Sequence, residues 1–138
     1  MNAKQLTVLT GSAARQVSDV ISHLGAQGID IRAHCLVDNG DGHCKLRMIV
    51  SRPERAVEVL QDRRITAVVN DVVVIETDDK PGSLGSMLDA LKAADIQIDY
   101  TYTAASQAPG TAVMVFRFSD NPRAVAALRD AGHLPADE

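Results

Sequence analysis

Tryptophan is absent from this sequence, and tyrosine and phenylalanine contribute two residues each. A core without large rings must be built from Val, Ile, Leu, Ala and Met. At 46% hydrophobic content, 138 residues suffice for one ordinary domain or two small ones. An excess of positive charge is missing as well. The formal net charge is −4, so neither nucleic acid nor an anionic membrane surface is an expected partner. No apolar run approaches the length of a membrane span, and Met1 to Thr10 carries no secretory apolar core. Two cysteines without such a leader are expected to be reduced thiols, and the location cytoplasmic. No Gly/Ser-rich or Pro-rich linker divides the chain, and the polar tail Pro135-Ala136-Asp137-Glu138 is expected to fray.

Catalytic signatures are missing too. There is no G-x-S-x-G, H-E-x-x-H or phosphate loop; His23 falls on the polar side of a helix and His133 near the end. No enzyme activity and no cofactor are expected, although fold alone never excludes chemistry. His34-Cys35 and His43-Cys44 invite a metal reading. Asn39-Gly40 is a strong signal for a two-residue hairpin turn, which would pair Leu36 with His43 and Cys35 with Cys44. Both cysteines would then share the face of Ile31, Ala33, Leu46 and Met48, with both histidines on the other. Such ligands cannot converge, so no metal is expected and the cysteines read as small core residues.

The chain begins with an alternating strand from Lys4 to Thr10, then Gly11-Ser12, with Ser12 as the expected N-cap. A helix to about Gln27 presents Val17, Val20, Ile21 and Leu24 on one face, and Gly28 ends it. Ile29 to Val37 alternates, His43 to Ser51 returns, and Pro53 opens a second helix carrying Val57 and Leu60. Arg63-Arg64 suit that helix's negative pole, and Ile65 to Val69 reads as a fourth strand ending at Asn70-Asp71.

The order β-α-β-β-α-β then restarts with Val72-Val73-Val74-Ile75. Setting Val17 against Leu84 aligns Val20 with Met87, Ile21 with Leu88, Leu24 with Leu91, and Ile29 and Ile31 with Ile96 and Ile98. Beyond one inserted residue past the hairpin, Leu46, Met48 and Val50 match Met114, Phe116 and Phe118, and Arg55-Ala56-Val57 recurs as Arg123-Ala124-Val125. This is an internal duplication, with modules at 1–70 and 71–138. Tyr100 and Tyr102 continue the strand of Ile98 as half-buried core. Ala108-Pro109-Gly110 closes a longer hairpin, and Asn121-Pro122 starts the last helix. The final strand, near His133-Leu134, is expected to be short or missing because Pro135 cannot donate to a ladder.

The RNA-binding modules that share this element order stack bases on aromatics of central strands. Phe116 and Phe118 instead align with core positions, which argues against RNA.

The stretch Thr77 to Ile98 carries the chemistry. Pro81 is expected in the first turn of a helix with apolar Leu84, Met87, Leu88 and Leu91. Unpaired N–H groups at Gly82, Ser83 and Leu84 favour a carboxylate, and Asp79 offers a negative group to an ammonium. A free amino acid carries both.

Strand, D-x-P-G-x-L, amphipathic helix and I-x-I together resemble the ACT domain, and two copies resemble the free-standing tandem ACT proteins of bacteria. The resemblance implies an α+β fold of two ferredoxin-like modules side by side, in a continuous antiparallel sheet with helices on one face. It also implies amino-acid binding for regulation, a homodimer, and a regulated enzyme as partner. By position, the ligand loop would be Thr77, Asp79, Lys80, Pro81, Gly82, Ser83 and Leu84, facing Asp30 and Ile31 of the first module's second strand. A weaker reciprocal site would use Thr10, Ser12, Ala14 and Arg15 against Gln97 and Ile98. The alternative is an interaction module with a vestigial site, docking through Leu36 and Ile49 beside Arg32, Lys45 and Arg47. Arg15 brings bulk and charge where Gly82 stands in the second copy, so one competent site per chain is expected. Calorimetry with a cognate amino acid should give that stoichiometry; two equal sites would contradict it.

Overall fold

The structure is a computed structural model and describes residues 2–134. Lys4–Asn70 forms one compact unit and the remainder of the described chain the other. The first contains β1 (Asn2–Gly11) from Lys4 onward, α1 (Ala14–Ala26), β2 (Ile31–Asp38), β3 (His43–Val50), α2 (Pro53–Gln61) and the start of β4 (Ala67–Asp78). The second takes the rest of β4, then α3 (Ser83–Ala93), β5 (Ile98–Ala104), β6 (Thr111–Phe118) and α4 (Asn121–Asp130). The expected fourth strand of the first copy and first strand of the second are therefore one strand, unbroken at Asn70-Asp71. No strand follows α4 among the described residues, and Pro135 to Glu138 lie outside them.

Each unit buries one sheet face under its two helices. In the first unit β3 lies between β2 and β1, both antiparallel to it, and Leu9 N–H donates to Thr66 O at 3.0 Å beyond β1. Leu6, Val8, Leu46, Met48 and Val50 meet Val20 and Leu24 of α1 and Ala56, Val59 and Leu60 of α2. In the second unit β6 lies between β4 and β5, and Ile75, Phe116 and Phe118 meet Met87, Leu91, Ala124 and Leu128. The aligned repeat positions are the buried ones, as the periodicity requires. The two phenylalanines stack at 5.1 Å and supply volume that Met48 and Val50 supply in the first unit.

Among the described residues, all four helices end alike. Gly28, Arg64, Asp95 and Gly132 hold positive φ of 70°, 60°, 54° and 82°. The residue after each donates five residues back: Ile29 to Leu24, Ile65 to Leu60, Ile96 to Leu91 and His133 to Leu128, at 2.8–3.1 Å. This is the Schellman closure, which normally brings an apolar residue onto the helix it ends. Arg64 is thus spent on a left-handed backbone position rather than on the helix pole.

Four sequence expectations are corrected here. The hairpin after β2 is wider than a two-residue turn: Asp38 pairs with Cys44 and Cys35 with Arg47, and Asn39 N–H donates to His43 O at 2.9 Å. Side-chain acceptors explain it, since Asp38 takes Gly40 N–H at 3.1 Å and Asp41 takes His43 N–H at 3.0 Å. That second bond also holds the Asp41 carboxyl below its usual pKa. Bulges then displace the pairing between Ile31 and Ala33 and between Ile98 and Tyr100, each adding an unpaired residue, Arg32 and Asp99. Cys35 consequently lies opposite Arg47, on the face away from the helices, while Cys44 joins Leu46 and Met48; the cysteines do not share a face. Tyr100 and Tyr102 likewise lie opposite Arg117 and Val115, outside the helix-covered core, and stack on each other at 6.4 Å. Finally, Leu36 pairs with Leu46, so it does not share a face with Ile49, Lys45 and Arg47, and the docking face drawn from sequence is split.

Burial and the carboxylates of Asp38 and Asp41 raise the Cys44 thiol pKa. A raised pKa leaves less thiolate at a given pH, and the thiolate is the nucleophile. Iodoacetamide at pH 8 should therefore modify Cys35 well before Cys44, which should react only on denaturation. Equal rates in the native protein would contradict this placement.

Candidate functional site

The second unit's site is built on a turn. Pro81 does not enter the helix. Lys80-Pro81-Gly82-Ser83 forms a type II turn, in which Ser83 N–H donates to Lys80 O at 3.3 Å. Gly82, at φ 90° and ψ −15°, is both the third turn residue and the N-cap of α3. Proline fixes the first central position and glycine permits the second, so the Pro-Gly pair selects the turn over an earlier helix start. Ser86 N–H then reaches Gly82 O at 2.9 Å, and no side chain caps the helix. Among the described residues, the N–H groups of Leu84 and Gly85 have no acceptor within the chain. Of the donors expected at Gly82, Ser83 and Leu84, that of Ser83 is spent on the turn, while Leu84 is joined by Gly85.

An open cleft of about 390 Å³ lies over this turn. Thr77, Lys80, Pro81, Gly82 and Ser83 line it, five of the residues singled out from sequence. Asp79 and Leu84 do not: Asp79 donates its N–H to Gly110 O at 2.9 Å, and the Leu84 side chain stands 46% exposed. The acid in the lining is Asp78, whose Oδ2 lies 3.6 Å from Lys80 Nζ. Both side chains are exposed, so their pairing stabilises little and leaves each available.

Ser86 and His133 complete the lining, and neither was identified from sequence. Ser86 follows Ser83 by one helical turn, a spacing that could have found it. His133 also borders a neighbouring cleft of about 490 Å³ that shares Thr77 and Asp78 and reaches Val113 and Leu134. It aligns with Ile65, as their common backbone bond shows, and that alignment is the signal that was missed.

The first unit has its own cleft at the corresponding place, of about 480 Å³, lined in part by Thr10, Gln16, Asp19, His43, Arg64 and Ile65. Of the weaker set, only Thr10 borders it. Ser12 is not the N-cap: α1 is capped by Ala13, whose carbonyl accepts from Gln16 and Val17, and Ala14 and Arg15 are exposed. Gln16 folds over Gly11, where an added Cβ would collide with its amide. Asp30 and Ile31 belong to the first unit and Gln97 and Ile98 to the second. Asp30 exchanges hydrogen bonds with Ser51, and Gln97 with Ser119, each anchoring the start of a bulged strand. Among the described residues, no three or more His, Cys, Asp or Glu side chains gather as a metal site, and no helix is long and apolar enough to cross a membrane.

Duplicated ferredoxin-like units, each with a cleft at a strand–turn–helix corner, define a class of paired α+β modules. The chain belongs to the ACT domain pair family, whose sequence profile matches residues 1–131. A solved protein of Bacteroides thetaiotaomicron is similar at 31% identity and a TM-score of 0.86, over 94% of this chain and 88% of that one. The regulatory subunits of aspartate kinase from Thermus thermophilus and Thermus flavus share the fold. They are 16% and 14% identical, with TM-scores of 0.69 and 0.66, over 95% of this chain and 93% and 95% of theirs. No functionally curated protein matches the sequence.

Gly82 is the residue on which this corner turns. Nothing crowds its missing Cβ, so the penalty of a side chain there is one of backbone conformation alone. Gly82→Ala should lower stability by about 1 kcal/mol, read from chemical denaturation, whereas a D-alanine placed by semisynthesis should not.

Proposed function

We propose that this chain is an amino-acid sensor that regulates a partner and catalyses nothing itself. The observation that carries the reading is the second-unit cleft, which gathers a helix start, an acid and a base around one uncapped turn. The ligand carboxylate lies at the start of α3, which borders the cleft through Gly82, Ser83 and Ser86 and whose dipole favours negative charge by about 0.3–1 kcal/mol. Its ammonium is held by Asp78, in the role first given to Asp79, with Lys80 withdrawing from the exposed pair to the rim. Membership of the ACT domain pair family supports the regulatory reading, as does the shared fold with regulatory subunits of a kinase.

Signal transfer then requires only that the bound and free forms of the corner differ in their affinity for a partner. That partner is an enzyme or a second copy of the chain. The first-unit cleft contributes little, because Gln16 lies over the strand end at Gly11.

A thermal-shift screen of the twenty amino acids tests the reading. At a hundred times its dissociation constant, a cognate ligand stabilises by about 2.7 kcal/mol and raises Tm by several degrees. The Asp78→Asn variant should lose most of that shift. No shift with any amino acid would end the proposal.

A further inference from the structure

Three of the four helices close on isoleucine: Ile29, Ile65 and Ile96 each follow the left-handed residue and donate to the carbonyl that completes the closure. At the fourth, the same bond at 2.8 Å and the same positive φ at Gly132 present a histidine instead. The backbone asks for an apolar side chain there, since packing against the helix is part of the motif. A polar residue that breaks a local rule kept three times elsewhere in the chain is the kind of exception associated with function. His133 is also where such an exception would be felt, because it borders two adjoining clefts of the second unit.

The surroundings say what the imidazole would read. Thr77, Ser83 and Ser86 place hydroxyl-bearing residues in the lining of the smaller cleft, and among the described residues Pro81 is its only apolar side chain, whereas the adjoining cleft adds Val74, Val113 and Leu134. The first-unit cleft has Leu9, Val20 and Ile65 in its wall. A hydroxyl, amide or carboxylate on the ligand finds partners in the second cleft and an imidazole able to donate or accept. An aliphatic side chain would instead strip water from these groups and leave them unpaired.

We propose that His133 is the specificity-determining residue of the second-unit cleft, selecting an amino acid with a polar side chain over an aliphatic one. The proposal rests on the sensor reading above. A site that hydrogen-bonds its ligand rejects an analogue lacking the group more strongly than an apolar pocket distinguishes by size.

The test uses the full chain, with His133→Ile and His133→Gln. Serine, threonine, asparagine and aspartate are compared with valine, leucine and isoleucine by thermal shift and calorimetry. Wild type should bind a member of the polar set. H133I should have an unchanged or higher ligand-free Tm, because isoleucine completes the closure, yet lose at least about tenfold in affinity for that ligand relative to the aliphatic set. H133Q, which keeps a donor and an acceptor, should retain most of the selectivity. Unchanged polar-ligand affinity in H133I, or wild type binding only aliphatic amino acids, overturns this proposal and leaves the sensor reading standing. An H133I that does not fold also overturns it, by showing that the imidazole holds the fold. No binding of any amino acid by wild type removes both.

Discussion

A single hydrogen bond, repeated at every helix end, sets much of this architecture. Each helix is stopped by a residue with positive φ, and the next N–H reaches back to close the last turn. The chain is thereby reversed at a fixed angle and delivered toward the sheet. After α1 and α3 the closure brings Ile29 and Ile96 to the core, 3% and 9% exposed, just before the edge strands start. After α2 and α4 it delivers Ile65 and His133 to the wall of a cleft. Asparagine or glycine would be the ordinary choice for such positions; Arg64 and Asp95 tolerate them at some cost in backbone strain.

That constraint explains why the two copies share a plan and differ in chemistry. The buried face is fixed by packing, so Leu24 and Leu91, Ala56 and Ala124, and Leu60 and Leu128 correspond and are almost fully buried in both units. The clefts escape the same restriction. Their walls are formed by strand ends, the first turn of a helix and the residue after a closure, where side chains face water and can diverge. Gln16 stands where the second copy has Ser83, and Ile65 where it has His133. Duplication supplied a frame twice, and the corner of each frame was free to acquire its own lining.

The bulges act on the sheet in a comparable way. Each inserts one residue after the first position of an edge strand, so the residues beyond it change face. Ile31 pairs with Val50 on the covered side, whereas Ala33 and Cys35 pair with Ile49 and Arg47 on the other. The corresponding shift carries Tyr100 and Tyr102 away from the phenylalanines. Simple alternation, counted on from Ile31 and Ile98, therefore assigns the wrong side to everything that follows. The two bulges fall at aligned positions, which marks them as part of the inherited plan.

Hydrophobic periodicity and the repeat determined the helices, the approximate places and order of the strands, and most of both cores, because burial acts on every third or fourth residue of a helix and every second of a strand. The Pro81-Gly82 corner was legible for the same local reason, and with it Thr77, Lys80 and Ser83. Tertiary structure alone decided what stands across from that corner. His133 reaches the cleft from the far end of the unit, through α4 and its closure, and Asp78 displaces Asp79 from the lining. Bulges and side-chain-capped turns likewise depend on single hydrogen bonds rather than on a repeating pattern, which is why periodicity could not foresee them.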